Sequence, residues 1–97
     1  MRDIKNEYVI LSAQLKECSP FINDRRHETL VSILNDLGAK YSVTSGYYDK
    51  FTETSVLITL EPNKGYHEGF FSYIASHNFN QESILYIDKN NTAVLIN

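Results

Sequence analysis

Between Asn23 and Gly38 the chain places Leu30, Ile33, Leu34 and Leu37 three and four residues apart. On a helix these four side chains form one apolar stripe, which has to be buried against another element. Asn23 reads as the N-cap, Asp24 falls in the first turn, and Gly38 can close the C-terminus. An amphipathic helix is marginal alone, so the rest of the chain must supply the surface it packs on.

That surface reads as a sheet. Glu7 to Ala13 is a short apolar run rich in β-formers, which predicts a central strand buried on both faces. Lys40 to Tyr48 carries β-branched and aromatic residues, Asp49-Lys50 reads as a turn, and Thr52 to Glu61 alternates. There Val56, Ile58 and Leu60 face one way and Ser55, Leu57 and Thr59 the other. A second helix is expected from Lys64 to Asn78 through Tyr66, Phe70, Tyr73, Ile74 and His77. Gly65 and Gly69 weaken it by about 1 kcal/mol each relative to Ala. Ser83 to Asp88 and Thr92 to Ile96 read as strands about a turn at Lys89-Asn90-Asn91. The order β-α-β-β-α-β with one extra C-terminal β-strand predicts an α+β fold. It is a ferredoxin-like split βαβ sandwich with both helices on one face, formed as a single domain over residues 1–97.

Composition narrows the partners. A net charge of −3 is poor footing for nucleic-acid binding, whose affinity comes largely from Lys and Arg displacing counterions. The strand Thr54-Ser55-Val56-Leu57-Ile58-Thr59 also lacks the stacking aromatics of RNA-recognition sheets. No apolar run is long enough to span a bilayer, and the first residues lack a signal-peptide layout. The single cysteine, Cys18, suits a reducing cytoplasm. The expectation is a cytoplasmic protein without nucleic-acid or membrane partners.

Motifs for chemistry are sparse. There is no phosphate-cradling glycine loop and no nucleophile elbow. His67-Glu68 opens a zinc-binding pattern, but Phe71 stands where the second histidine belongs. No metal, no cofactor and no catalytic residue is therefore expected. Cys18 has only Lys16 as a basic neighbour and reads as a neutral loop thiol. His27 with Glu53 is an acid/base pair only if the fold brings them within hydrogen-bond reach.

Two groups of residues stand out. The chain holds seven tyrosines and five phenylalanines. Tyr66, Phe70, Tyr73 and Tyr8 fit a core under two helices. Tyr47, Tyr48 and Phe51 surround a turn that the helices cannot cover, and clustered loop aromatics mark recognition surfaces. With Asp49 and Glu53 on the rim, they form a candidate protein-binding loop. The other group is Arg25-Arg26, placed at the helix start against the helix dipole, where two guanidinium groups can grip an anion.

A resemblance rests on short elements. Ser12-Ala13-Gln14-Leu15 matches the first half of a Thr-Ala-Asn-Pro-like strand ending, and Asn23 echoes a helix-start Asn. Glu53-Thr54-Ser55-Val56-Leu57-Ile58 matches a Glu-x-Ser before an apolar strand, and Asn80-Gln81-Glu82-Ser83-Ile84 approximates a Gly-Gln element. In these the chain resembles a family of small bacterial and phage proteins described only as a domain of unknown function. The resemblance implies an accessory protein, phage-encoded and acting in the host cytoplasm. Asn23, Glu53, Ser55 and Gln81 also have plain structural readings as caps and strand-end partners, with Glu53 pairing to Arg25 or Arg26. The expected topology gives no reason for those four to converge.

The function expected from these residues is a non-catalytic modulator or inhibitor of a larger protein, bound through Tyr47, Tyr48, Asp49, Phe51 and Glu53. The alternative is a small-molecule or nucleotide-binding domain using Asn23, Arg25, Arg26, Ser55 and Gln81, with a homodimer formed through an open sheet edge.

Overall fold

The computed structural model describes residues 6–48, 51–61, 65 and 67–97, without the side chains of residues 47, 48, 51 and 52. Five strands and two helices follow in the order β1 (Glu7–Leu11), α1 (Pro20–Leu37), β2 (Lys40–Tyr48), β3 (Phe51–Leu60), α2 (Glu68–Phe79), β4 (Ile84–Ile87) and β5 (Ala93–Ile96). The strands form one antiparallel sheet in the order β2-β3-β1-β4-β5. This is the α+β, ferredoxin-like arrangement, with β1 central and the last strand extending the β4 edge.

Val9 and Leu11 of β1, Val56, Ile58 and Leu60 of β3, and Ile84 of β4 meet Leu30 and Leu34 of α1 and Phe71, Ile74, Ala75 and Phe79 of α2 in one core. Removing a large side chain such as Leu34 or Phe71, both fully buried, costs about 2–5 kcal/mol. Alternation along the strands sends Tyr8, Ile10, Leu57, Leu85 and Leu95 to the other face. Tyr8 and Ile10 are only half-buried there, so β1 is buried on one face rather than two.

The first helix starts earlier than its apolar stripe. Ser19 is the N-cap, its side chain accepting from the Ile22 N–H, and Pro20 occupies the first turn, where its missing N–H costs nothing. Asn23 is therefore not the cap but a residue inside the helix, and it is buried. Asp24, Arg25 and Arg26 lie beyond the first turn, which holds no acidic residue, so the dipole argument for the arginines does not apply. Gly38 closes the helix in the left-handed region at φ 69°.

The second helix is shorter than its pattern. Gly65 takes φ 75°, and His67 caps the helix by accepting the Gly69 N–H on Nδ1. Phe70 meets Phe71 edge-on at the core margin, whereas Tyr73 is 60% exposed and stacks on His77. The second helix thus buries Phe71 where Tyr73 was expected, and Tyr66 lies outside the described residues. Asp88 organises the final turn by accepting the N–H groups of Asn90 and Thr92.

No helix among the described residues is long and apolar enough to cross a membrane.

Candidate functional site

The register explains how distant residues meet. Leu11, the last residue of β1, pairs with Val56, so the start of β3 lies beside the segment leaving β1. That segment, Ser12 to Cys18, leads directly into α1. Ile10 pairs with Leu85, which brings the start of β4, and with it the end of α2, to the same sheet edge. Helix α1 begins, helix α2 ends, and strands β1, β3 and β4 begin or end there.

An irregular segment buried at such a junction must find partners for its backbone. Ser12 Oγ donates to the Thr54 carbonyl (2.9 Å) and accepts from the Gln14 N–H (3.1 Å). The Ala13 carbonyl accepts from Arg26 Nε at 2.6 Å. The Gln14 carbonyl accepts from Gln81 Nε2 at 2.8 Å. Asn23 donates to the carbonyl of Leu15 at 2.8 Å and accepts the N–H of the same residue at 2.9 Å. Arg26 also donates to the Phe79 carbonyl, and its guanidinium lies over the Phe79 ring. Strand β3, helix α1 and the connection after α2 therefore hold Ser12 to Leu15 in place.

Of the ligand-binding set, Asn23, Arg26 and Gln81 each bond the segment from Ala13 to Leu15, while Ser55 and Glu53 share the face of β3 opposite Thr54 and Val56. Arg25 does not join them: it is exposed, with its guanidinium over the Phe21 ring at 5.6 Å. Arg26 gives two of its N–H donors to carbonyls, one from Nε and one from a terminal nitrogen, which fixes its guanidinium against the held segment. Glu53 pairs with neither arginine. It is half-buried, with its hydrogen-bond partners the hydroxyls of Ser12 and Ser55. Burial raises its pKa from 4.5, and the two hydroxyls partly offset the rise. His27 is not among the groups acting on Glu53, so their acid/base pairing is not formed. Of the protein-binding set, Asp49 and the side chains of Tyr47, Tyr48 and Phe51 lie outside the described residues.

Beside the held segment lies an open groove of about 420 Å³ lined by Gln14, Lys16, Cys18, Pro20, Asn23, Asp24 and Thr54. On the other side a second hollow is bordered by Leu15, Glu17, Asn80, Gln81, Glu82 and Ser83. Among the described residues no His, Cys, Asp and Glu gather in a group that could hold a metal ion.

A family model described as the S-adenosylmethionine lyase family matches residues 9–97. The chain belongs to the S-adenosylmethionine lyase family. The match takes in β1 from Val9 onward, the held segment, Glu53 and Ser55. None of the curated proteins compared with it matches the chain.

Membership in a lyase family corrects three expectations. The reading as a non-catalytic modulator or inhibitor falls, because the family is described by a chemical activity. The reading of the chain as no enzyme falls with it, as does the phage accessory role. Their common error was physical: absence of known motifs was taken as absence of chemistry. A sulfonium substrate carries its own leaving group, so its cleavage needs neither a metal pattern nor a nucleophile elbow. Ser12 and Gln14 were seen only as elements of a resemblance. Their signal was position, since polar residues directly after a central strand, in the loop before a helix, are well placed for function.

Proposed function

We propose that the protein is a lyase that cleaves a carbon–sulfur bond of S-adenosylmethionine, with Glu53 beside the sulfonium. The observation that carries this reading is the half-buried Glu53 carboxylate, oriented by Ser12 and Ser55, in a chain of this family. Partial burial strengthens the attraction between a carboxylate and a cation relative to water. Asp24 is a carboxylate that lines the groove, but it is exposed and no described hydroxyl orients it.

The chemistry asks little of the protein. As the carbon–sulfur bond breaks, its electron pair goes to sulfur, which departs as a neutral thioether and needs no acid. The carbon that loses sulfur takes an electron pair from within its own fragment, and no water is added. What the chain contributes is selection, orientation and partial removal of water from a charged centre. Glu53 favours the sulfonium over the thioether, so the product loses its ionic partner once formed and is released.

Incubation of the purified protein with S-adenosylmethionine, followed by liquid chromatography and mass spectrometry, tests this. The expected result is loss of substrate with appearance of an adenosine-bearing thioether, and a fall of about a hundredfold or more in Glu53→Gln, as for loss of other oriented electrostatic groups. No cleavage by the wild type, or undiminished cleavage by Glu53→Gln, overturns the reading.

A further inference from the structure

Gln14 is 7% exposed, and the orientation of its side-chain amide is fixed by chemistry. Its Oε1 accepts the Thr54 backbone N–H at 2.9 Å. A backbone N–H can only donate, so the oxygen of the amide must face Thr54 and the NH2 must face elsewhere. Nε2 donates to none of the described residues, and the side chain lines the groove. A nearly buried amide thus presents two N–H donors to an open groove. Lys16 brings a positive charge to the same groove, and Asp24 brings a negative one. Donors with a cation, and a carboxylate nearby, match a zwitterionic α-amino acid rather than a flat uncharged ring. Glu53 and Thr54 share a peptide unit and point to opposite faces of β3, so the Gln14 amide lies across the strand from the proposed sulfonium partner.

We infer that Gln14 is a specificity-determining residue that donates from Nε2 to the carboxylate of the substrate's amino-acid end, with Asp24 facing its ammonium group. This assignment rests on the lyase reading and adds which end of the substrate occupies the groove. The bond between donor and carboxylate is charge-assisted. Loss of such a bond, with an acceptor put in its place, corresponds to a weakening of roughly tenfold or more.

The test compares two ligands in calorimetry. S-adenosylhomocysteine keeps the carboxylate but has no sulfonium to cleave; decarboxylated S-adenosylmethionine keeps the sulfonium and the amine but has no carboxylate. Gln14→Glu retains an acceptor for the Thr54 N–H and replaces the donors. It is expected to weaken S-adenosylhomocysteine about tenfold or more and to leave the decarboxylated ligand within about twofold. Asp24→Asn, at an exposed helix position, is expected to weaken both ligands by similar factors. Equal loss of both ligands in Gln14→Glu, or no loss of either, overturns the assignment. If Gln14→Glu does not fold, Asp24→Asn decides: no effect on either ligand, or an effect on one alone, overturns it. Cleavage of S-adenosylmethionine by the wild type is measured in parallel. Cleavage without the expected ligand pattern sinks the Gln14 assignment alone, whereas no cleavage and no binding sinks the lyase reading and the assignment together.

Discussion

Asn23 closes a two-way hydrogen bond with Leu15, accepting the Leu15 N–H at 2.9 Å and donating to the Leu15 carbonyl at 2.8 Å. One buried side-chain amide thereby bonds both polar groups of Leu15, whose carbonyl also accepts the Cys18 N–H at 3.1 Å. A third contact reaches the Cys18 carbonyl at 3.4 Å. The start of α1 is thus locked to the segment that leaves β1, and the shape of the groove follows from that lock.

Replacing Asn23 by Ala leaves the N–H of Leu15 unpaired in a half-buried setting, while the Leu15 carbonyl keeps the Cys18 N–H at 3.1 Å. One such group costs about 1–3 kcal/mol, so Asn23→Ala is expected to lower stability by about that amount. Asn23→Asp keeps the acceptor for the Leu15 N–H but loses the donor, and should fall between the wild type and Asn23→Ala. Urea denaturation of the three proteins checks the order. An Asn23→Asp protein as stable as the wild type speaks against the donor half of the bond.

Arg26 ties the same segment to the other helix, through the Ala13 and Phe79 carbonyls. A lysine in its place can reach one carbonyl and cannot reproduce the planar fork that serves two. Arg26→Lys is therefore expected to lose about 1–2 kcal/mol and to raise KM for S-adenosylmethionine more than it lowers kcat. A change confined to thermal stability, with KM untouched, indicates that the tie supports the fold and not the groove.

The architecture was legible because the dominant signals were local. Leu30, Ile33, Leu34 and Leu37 at helical spacing, and Val56, Ile58 and Leu60 at strand spacing, each announce a buried face, and their order admits few topologies. The site was less legible because it is made of side chains that satisfy one another across the sheet edge. Asn23 looks like a cap in sequence, since Asn at the head of an apolar stripe usually is one. Only the fold of the loop before α1 shows that its partner is Leu15, eight positions back. Gln81 and Gln14 are 67 positions apart, and no local pattern announces such a pair. The Arg26 contacts were hidden for a related reason: nothing local to a helix start announces carbonyls at Ala13 and Phe79.

Glu53→Gln separates stability from function. Burial raises the Glu53 pKa above 4.5, so the folded protein holds this proton more tightly than the unfolded chain does. Its favourable contribution is fully present below 4.5 and is lost as pH rises through the higher folded value. At neutral pH the ionised carboxylate is therefore a small liability that glutamine removes. Glu53→Gln should match or exceed the wild-type melting temperature at pH 7, with the advantage shrinking toward pH 4, while cleavage falls sharply. Scanning calorimetry across that range, paired with the cleavage assay, provides both readings. A destabilised Glu53→Gln at pH 7 contradicts the burial account.

Ser55→Ala moves the acidic limb of the activity profile. If cleavage needs Glu53 ionised, the rate rises with pH through the folded Glu53 pKa, which lies above 4.5. The Ser55 hydroxyl donates to the carboxylate and lowers that pKa; removing it leaves burial less opposed, so the limb must shift to higher pH. Ser12 acts in the same direction, but its one hydroxyl proton also serves the Thr54 carbonyl, and Ser12 Oγ accepts the Gln14 N–H as well. Ser12→Ala therefore combines a pKa change with a loosened segment, whereas Ser55→Ala reports on Glu53 more directly. The expected signature is a displaced limb with a plateau rate close to the wild type at alkaline pH. A plateau that drops without any displacement assigns Ser55 to substrate contact, and a limb displaced to lower pH shows that Glu53 is not the group whose ionisation the reaction follows.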